Sequence, residues 1–94
     1  MHGLVTTVDI DAARMDEAES VLQEVTIPMT KSQLGFVRGV WLRSNDGSRG
    51  HGFVLFDTAE QAVAAAELAK QRPPADSPVT MRSVEVFQVV GEIG

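Results

Sequence analysis

The chain has 94 residues, 13 of them acidic and 8 basic, for a net charge of −5. A chain this short buries only roughly 60–65% of its unfolded surface, so residues 1–94 are read as one domain. The negative charge repels polyphosphate and disfavours nucleic acid as a partner, and the absence of cysteine excludes disulfides, thiolate metal sites and a cysteine nucleophile.

Residues 4–10 (LVTTVDI) are β-branched and apolar with partial alternation, as in a strand, and Asp9 and Asp11 suit a turn or helix cap at its end. From Asp11 the period changes. Met15, Ala18, Leu22, Val25 and Met29 recur at steps of three and four, with Asp16, Glu17, Glu19 and Glu24 on the other side. This predicts an amphipathic helix with one buried stripe, its acidic first half placed at the positive end of the helix dipole. Pro28 removes a donor and clashes with the preceding turn, so the helix is expected to kink or end near Thr26 or Ile27. Residues 36–43 (FVRGVWLR) and 50–56 (GHGFVLF) read as strands of an antiparallel hairpin, and Asn45, Asp46 and Gly47 between them tolerate positive φ. Thr58 and Gln61 make a capping-box signature. The helix that follows presents Ala62, Val63, Ala66 and Ala69, small enough to approach a sheet closely, with Lys70 and Arg72 at its negative end and Pro73 and Pro74 to stop it. Residues 79–90 (VTMRSVEVFQVV) form a long final strand. No stretch approaches the roughly 18 apolar residues of a membrane span, and the opening MHGLVTTVDIDAARMDE has no basic segment leading into an apolar run. No membrane association and a cytoplasmic location are expected.

The order β-α-β-β-α-β with right-handed crossovers puts both helices on one face of a four-stranded antiparallel sheet, the ferredoxin-like α+β arrangement. Alternation sends Val54 and Phe56 one way and His51, Phe53 and Leu55 the other; in the last strand Val84 and Val86 oppose Glu85, Phe87 and Val89. If the helices cover Val54, Phe56, Val84 and Val86, then Phe53, Leu55, Phe87 and Val89 remain as an apolar patch on the open face. Either Phe36, Val40 and Leu42 or else Val37 and Trp41 add to it. Burying such side chains is worth about 1.5–3 kcal/mol each, in sum comparable to a small domain's whole stability. A second copy of the chain is the expected cover, with Phe53, Leu55, Phe87 and Val89 at the dimer interface.

The segments MHGLVTTVDI, LGFVRGVWLR, RGHGFVLFDTAEQAVAAAELA and VTMRSVEVFQVVGEI, with the long acidic first helix ending near VTIPMT, resemble the dimeric α/β-barrel superfamily over nearly the whole chain. The likeness is to its small antibiotic-biosynthesis-monooxygenase-like members. The resemblance implies a homodimer whose sheets pack face to face into a barrel, with the long last strand making contacts across it. That superfamily includes cofactor-free oxygenases acting on polycyclic aromatics, haem-degrading enzymes, isomerases and proteins without known activity. It therefore implies a cofactor-independent monooxygenase-like enzyme, or a binder of a small aromatic, polyketide-like molecule, without deciding between them. A non-catalytic interaction or ligand-binding module is the plainer alternative. The run RGHGFVLF also resembles strand three of the RNA-recognition motif and suggests a single-stranded RNA binder. Against this, the first strand lacks the companion aromatic, the chain is acidic, and Gly50 and Gly52 are equally explained by close packing or a bulge.

Few residues can carry chemistry. His51 is the candidate catalytic group, since an imidazole titrates near neutrality and parity places it beside Phe53; an interface role is the plainer reading. Trp41, Phe53 and Phe87 are the candidate substrate-binding residues, Trp41 through ring packing or its indole N–H. Asn45 is better explained by its turn. Trp41, Asn45 and His51 do not fall at the positions of the haem-degrading branch, so haem is not expected, and no cofactor is implied. His2 and His51 have no neighbouring ligand pattern for a metal.

Overall fold

The computed structural model describes residues 1–71 and 73–94. Strands β1 (His2–Ile10), β2 (Phe36–Arg43), β3 (Arg49–Phe56) and β4 (Val79–Gln88) form one sheet in the order β2-β3-β1-β4, with every neighbouring pair antiparallel. Between β1 and β2 the chain runs through a 3₁₀ turn (Ala12–Arg14), α1 (Met15–Val21), a π-helical turn (Leu22–Thr26) and α2 (Ile27–Lys31); α3 (Ala59–Lys70) links β3 to β4. This is the expected ferredoxin-like α+β topology.

Local chemistry accounts for most boundaries. Asp11 Oδ1 accepts the Ala13 N–H at 3.1 Å and caps the first helical turn. Pro28 does not end the helix, but the α-helical pattern is interrupted up to Thr26, where a kink or an end was expected. The turn before it widens, so that the Ile27 N–H reaches Leu22 O five residues back, and Pro28 falls in the first turn of α2, where a missing N–H leaves no bond unmade. The helix continues to Lys31. The wide turn also rotates the faces: Met15, Ala18, Leu22 and Met29 are half-buried, but Val25, expected in the same stripe, is exposed. For α3 the capping box forms in both directions, Gln61 N–H to Thr58 Oγ1 and Thr58 N–H to Gln61 Oε1, each at 3.2 Å. Its buried residues are Ala62, Ala65 and Ala66, while Val63 is 47% exposed, because Val63 lies about 100° around the helix from Ala62. Arg72, expected at the negative end of this helix, lies outside the described residues.

Both edge strands carry a bulge, and each changes which side chains share a face. In β2, Phe36 pairs with Phe56 but Arg38 pairs with Leu55, leaving Val37 as the extra residue. Phe36, Gly39, Trp41 and Arg43 therefore face the helices, and Arg38, Val40 and Leu42 the open side. Neither set expected from simple alternation is correct as a whole. In β4, Ser83 pairs with Thr7 and Met81 with Val8, so that Arg82 is the extra residue and its guanidinium pairs with Asp9. Val79, Met81, Val84 and Val86 thereby all face the helices. β4 ends at Gln88, short of the expected Val90; Val89 follows it, half-buried, its N–H bonded to Met1 O at 3.0 Å.

The core is small and lies between α3 and the sheet. Leu4, Val54, Phe56, Ala62, Ala65 and Ala66 are buried, and Phe36 meets Phe56 edge to face at 6.5 Å between ring centroids. Phe56 is the one large side chain wholly out of solvent among the described residues. Phe56→Ala is expected to lower the unfolding free energy by about 3–5 kcal/mol and Val63→Ala by no more than about 0.5 kcal/mol, as read from urea denaturation of the two variants.

Candidate functional site

The two helical connections lie differently on the sheet. The alanines of α3 let its backbone approach β4, β1 and β3, whereas α1 makes no comparably close approach to any strand. The space under α1 and the π-helical turn is a cavity of about 670 Å³, within the range of small-molecule sites. Its floor is the helix-facing side of the sheet, with Thr6, Val8, Trp41, Gly50, Gly52 and Met81; Met15, Ala18, Leu22 and Thr26 cover it, and Ala65 and Ala69 of α3 close one side.

Trp41 lies flat on this floor. A Cβ built on Gly52 would stand 3.0 Å from Trp41 Nε1, and one built on Gly39 would stand 3.0 Å from Trp41 Cη2, so the indole spans both glycines. Any side chain at either position would push the ring off the sheet. A Cβ on Gly50 would likewise meet Val8 Cγ2 at 3.1 Å. The glycines of RGHGFVLF thus owe their place to the floor of this cavity.

The residues singled out in the sequence are divided between the two faces of the sheet. Trp41 lines the cavity. His51 borders it, but His51 pairs with Thr7 and Leu42, one step along the pleat from the row containing Thr6, Gly52 and Trp41. Its ring lies on the open side, with Nδ1 3.2 Å from Thr7 Oγ1 and the ring centroid 6.3 Å from that of Phe53. Phe53 and Phe87 are on the open face too, 38% and 49% exposed, with half-buried Leu55 beside them and exposed Val40 and Leu42 completing the patch. Sequence reasoning missed Thr6, Met15 and Met81 as cavity residues. No signal in the sequence alone marks them, because the register between strands decides which side chains share this floor.

The β2–β3 turn closes the hairpin at the cavity's end, where Ser44 and Asn45 are part of the lining. Gly47 takes φ 78°, and a Cβ there would strike the Met15 sulfur, so the turn packs directly under α1. Asp46 organises it: Oδ1 accepts the Ser48 N–H at 3.0 Å and the hydroxyls of Ser44 and Ser48 at 2.7 Å. The Ser48 backbone N–H, followed by those two hydroxyls, pulls the Asp46 carboxyl down from 3.8 to about 2. Among the described residues no three His, Asp or Glu side chains gather as a metal site. The cavity offers haem iron no imidazole, since the one histidine bordering it turns its ring to the other face.

No family profile matches the chain, and no curated protein matches it in sequence. Solved structures do match in fold. The haem-degrader MhuD of Mycobacterium tuberculosis, with two haems bound in its active site, superposes with a TM-score of 0.75 at 20% identity over 100% of both chains. A monooxygenase of Streptomyces coelicolor in complex with nanaomycin D gives 0.62 at 14% identity, over 98% of this chain and 89% of the other. A dimeric ferredoxin-like protein from an uncultured marine organism gives 0.67 at 14% identity, over 99% of this chain and 98% of the other. At such identities the likeness establishes the shared ferredoxin-like fold of the monooxygenase-like and haem-degrading proteins.

The folded Asp46 carboxyl titrates below its unfolded counterpart, so the turn's stabilisation is complete above about pH 4 and fades as pH falls toward about 2. Asp46→Asn is expected to melt below the parent protein at neutral pH, with the gap in Tm closing over that interval in calorimetric scans.

Proposed function

We propose that this protein is a homodimer in which each chain receives a small, flat, mainly apolar molecule between Trp41 and α1, in the manner of the monooxygenase-like proteins whose fold it shares. The observation that carries this reading is the cavity itself: about 670 Å³ of space in a domain of only 94 residues, floored by an indole laid flat and covered by methionine, leucine and alanine. A planar aromatic fits such a slot, and the shared fold holds haem in one relative and nanaomycin D in another. Oxygenase-type chemistry without a cofactor would require a bound molecule able to form a stabilised carbanion, with the cavity excluding water around it. A catalytic part for His51 would be played from the open face.

The pairing is supported by apolar surface that one chain leaves wet. Val40, Leu42, Phe53 and Phe87 stand together on the open face, and a self-complementary patch of this kind suits a two-fold dimer. Beyond Gln88 the chain crosses the end of the sheet toward β2, where Glu92 meets Arg38 at 3.6 Å. It carries Val90 and Ile93 at 96% and 95% exposure, two further side chains for a second copy to cover.

Light scattering over a range of micromolar concentrations should give the mass of two chains, and Phe53→Glu should give one, because the carboxylate would be desolvated between the sheets. A parent protein that stays single throughout would end the barrel reading. Trp41 is the only tryptophan, so its fluorescence reports on the cavity: naphthalene should quench it saturably, one molecule per chain. A strictly linear response to added naphthalene would count against binding in the cavity.

A further inference from the structure

His51 stands inside the apolar patch of the open face. Its register partner on β2 is Leu42, and the next residue of β3 on the same side is Phe53, with 6.3 Å between the two ring centroids. Leu42 and Phe53 are 53% and 38% exposed, and the imidazole between them is half-buried. A cover over those two apolar side chains therefore covers the ring as well. On the other flank Thr7 of β1 faces it, with Oγ1 3.2 Å from Nδ1. A hydroxyl can give or take that hydrogen bond, so it holds the ring in either protonation state and supplies no charge.

The charged groups on this side of the sheet leave a protonated ring without a counter-charge. Arg49, the preceding residue of β3 on the same side, is a like charge. Asp9 of β1 is engaged by Arg82 of β4, and Arg38 of β2 by Glu92. Glu85 of β4 lies opposite Val5, two strands from His51. Among the described residues no carboxylate forms an ion pair with the imidazole.

We propose that His51 makes the pairing of two copies pH-sensitive: the open faces close on one another while the imidazole is neutral and part when it is protonated. This rests on the homodimer read above and supplies its regulation. Burying an imidazolium among Leu42 and Phe53, with Arg49 as its nearest charged neighbour along the strand, costs hydration that nothing on the face returns. The separate chain thus takes up the proton more readily than the pair, and by linkage a falling pH favours separation. An imidazole changes charge between about pH 5 and 8, whereas carboxylates, with ordinary values near ~4, stay ionised over most of that interval. Two-fold symmetry puts two such rings in every pair, so their effects multiply.

Sedimentation equilibrium of the full chain at about pH 8 and about pH 5.5, at one ionic strength, tests this. The dissociation constant of the parent protein should rise at least about tenfold at the lower pH. His51→Gln keeps a partner for Thr7 and His51→Phe keeps a ring; in each the two constants should agree within about twofold. His2, on the helix-facing side, remains in both variants as an internal control. A parent protein that pairs equally well, or better, at the lower pH overturns the switch and leaves the homodimer standing. Variants that keep the parent's pH dependence overturn it too, because another group would then carry the proton. A parent protein that never pairs at pH 8 overturns the homodimer and the switch together. Proton NMR of the parent protein requires no variant to pair: the His51 Hε1 signal should complete its protonation shift at lower pH in concentrated, paired protein than in dilute, separate chains, and coincident curves would again rule the switch out.

Discussion

A pleated strand must send successive side chains to opposite faces, and in this sheet neither face is polar enough to be left in water. One face holds Leu4, Val54 and Phe56 under the helices; the other holds Val40, Leu42, Phe53 and Phe87 in the open. Everything functional follows from that division. The covered face supplies both a core and a cavity, and the uncovered face supplies the apolar surface on which the proposed pairing rests. His51 and Trp41 sit in adjacent rows of the same sheet and yet serve different faces, because the pleat turns one toward Thr7 and the other toward Gly52.

The cavity exists because the two helical connections meet the sheet on different terms. Alanines at 62, 65 and 66 let α3 settle against the strands and make a dense, small core. The first connection holds longer side chains, Met15 and Leu22, toward the sheet and contains a π-helical turn. That turn resolves the conflict posed by Pro28 and at the same time rotates the downstream residues, bringing Thr26 into the lining and leaving Val25 outside. Below it, the glycines at 39, 50 and 52 lower the floor enough for an indole to lie flat. A slot bounded by small residues on the strands, with the flexible thioethers of Met15 on α1 and Met81 on β4, can adapt to a planar occupant.

The bulges at Val37 and Arg82 decide how far this arrangement extends. Without the first, Phe36 and Trp41, five positions apart, would point to opposite faces; with it, one completes the core and the other floors the cavity. The second does the same for Met81 and Val84, keeping both ends of β4 under the helices, while Arg82 finds Asp9 at the exposed edge. Both lie on edge strands, where an extra residue disturbs one ladder only.

Period and punctuation in the sequence were enough for the element order, the ferredoxin-like topology, the capping box at Thr58 and the two apolar faces of β3, because these depend on residues close together in the chain. The membership of Phe53 and Phe87 in the open face was legible for the same reason. Which face carried Trp41 was not, nor was the separation of Trp41 from His51. A bulge is set by the pairing of one strand with another and leaves no mark in the alternation of either alone. The cavity and the meeting of Thr6, Trp41 and Gly52 belong to the tertiary structure entirely: they join β1, β2 and β3 across 46 residues of sequence, from 6 to 52, and only the register between strands brings them to one point.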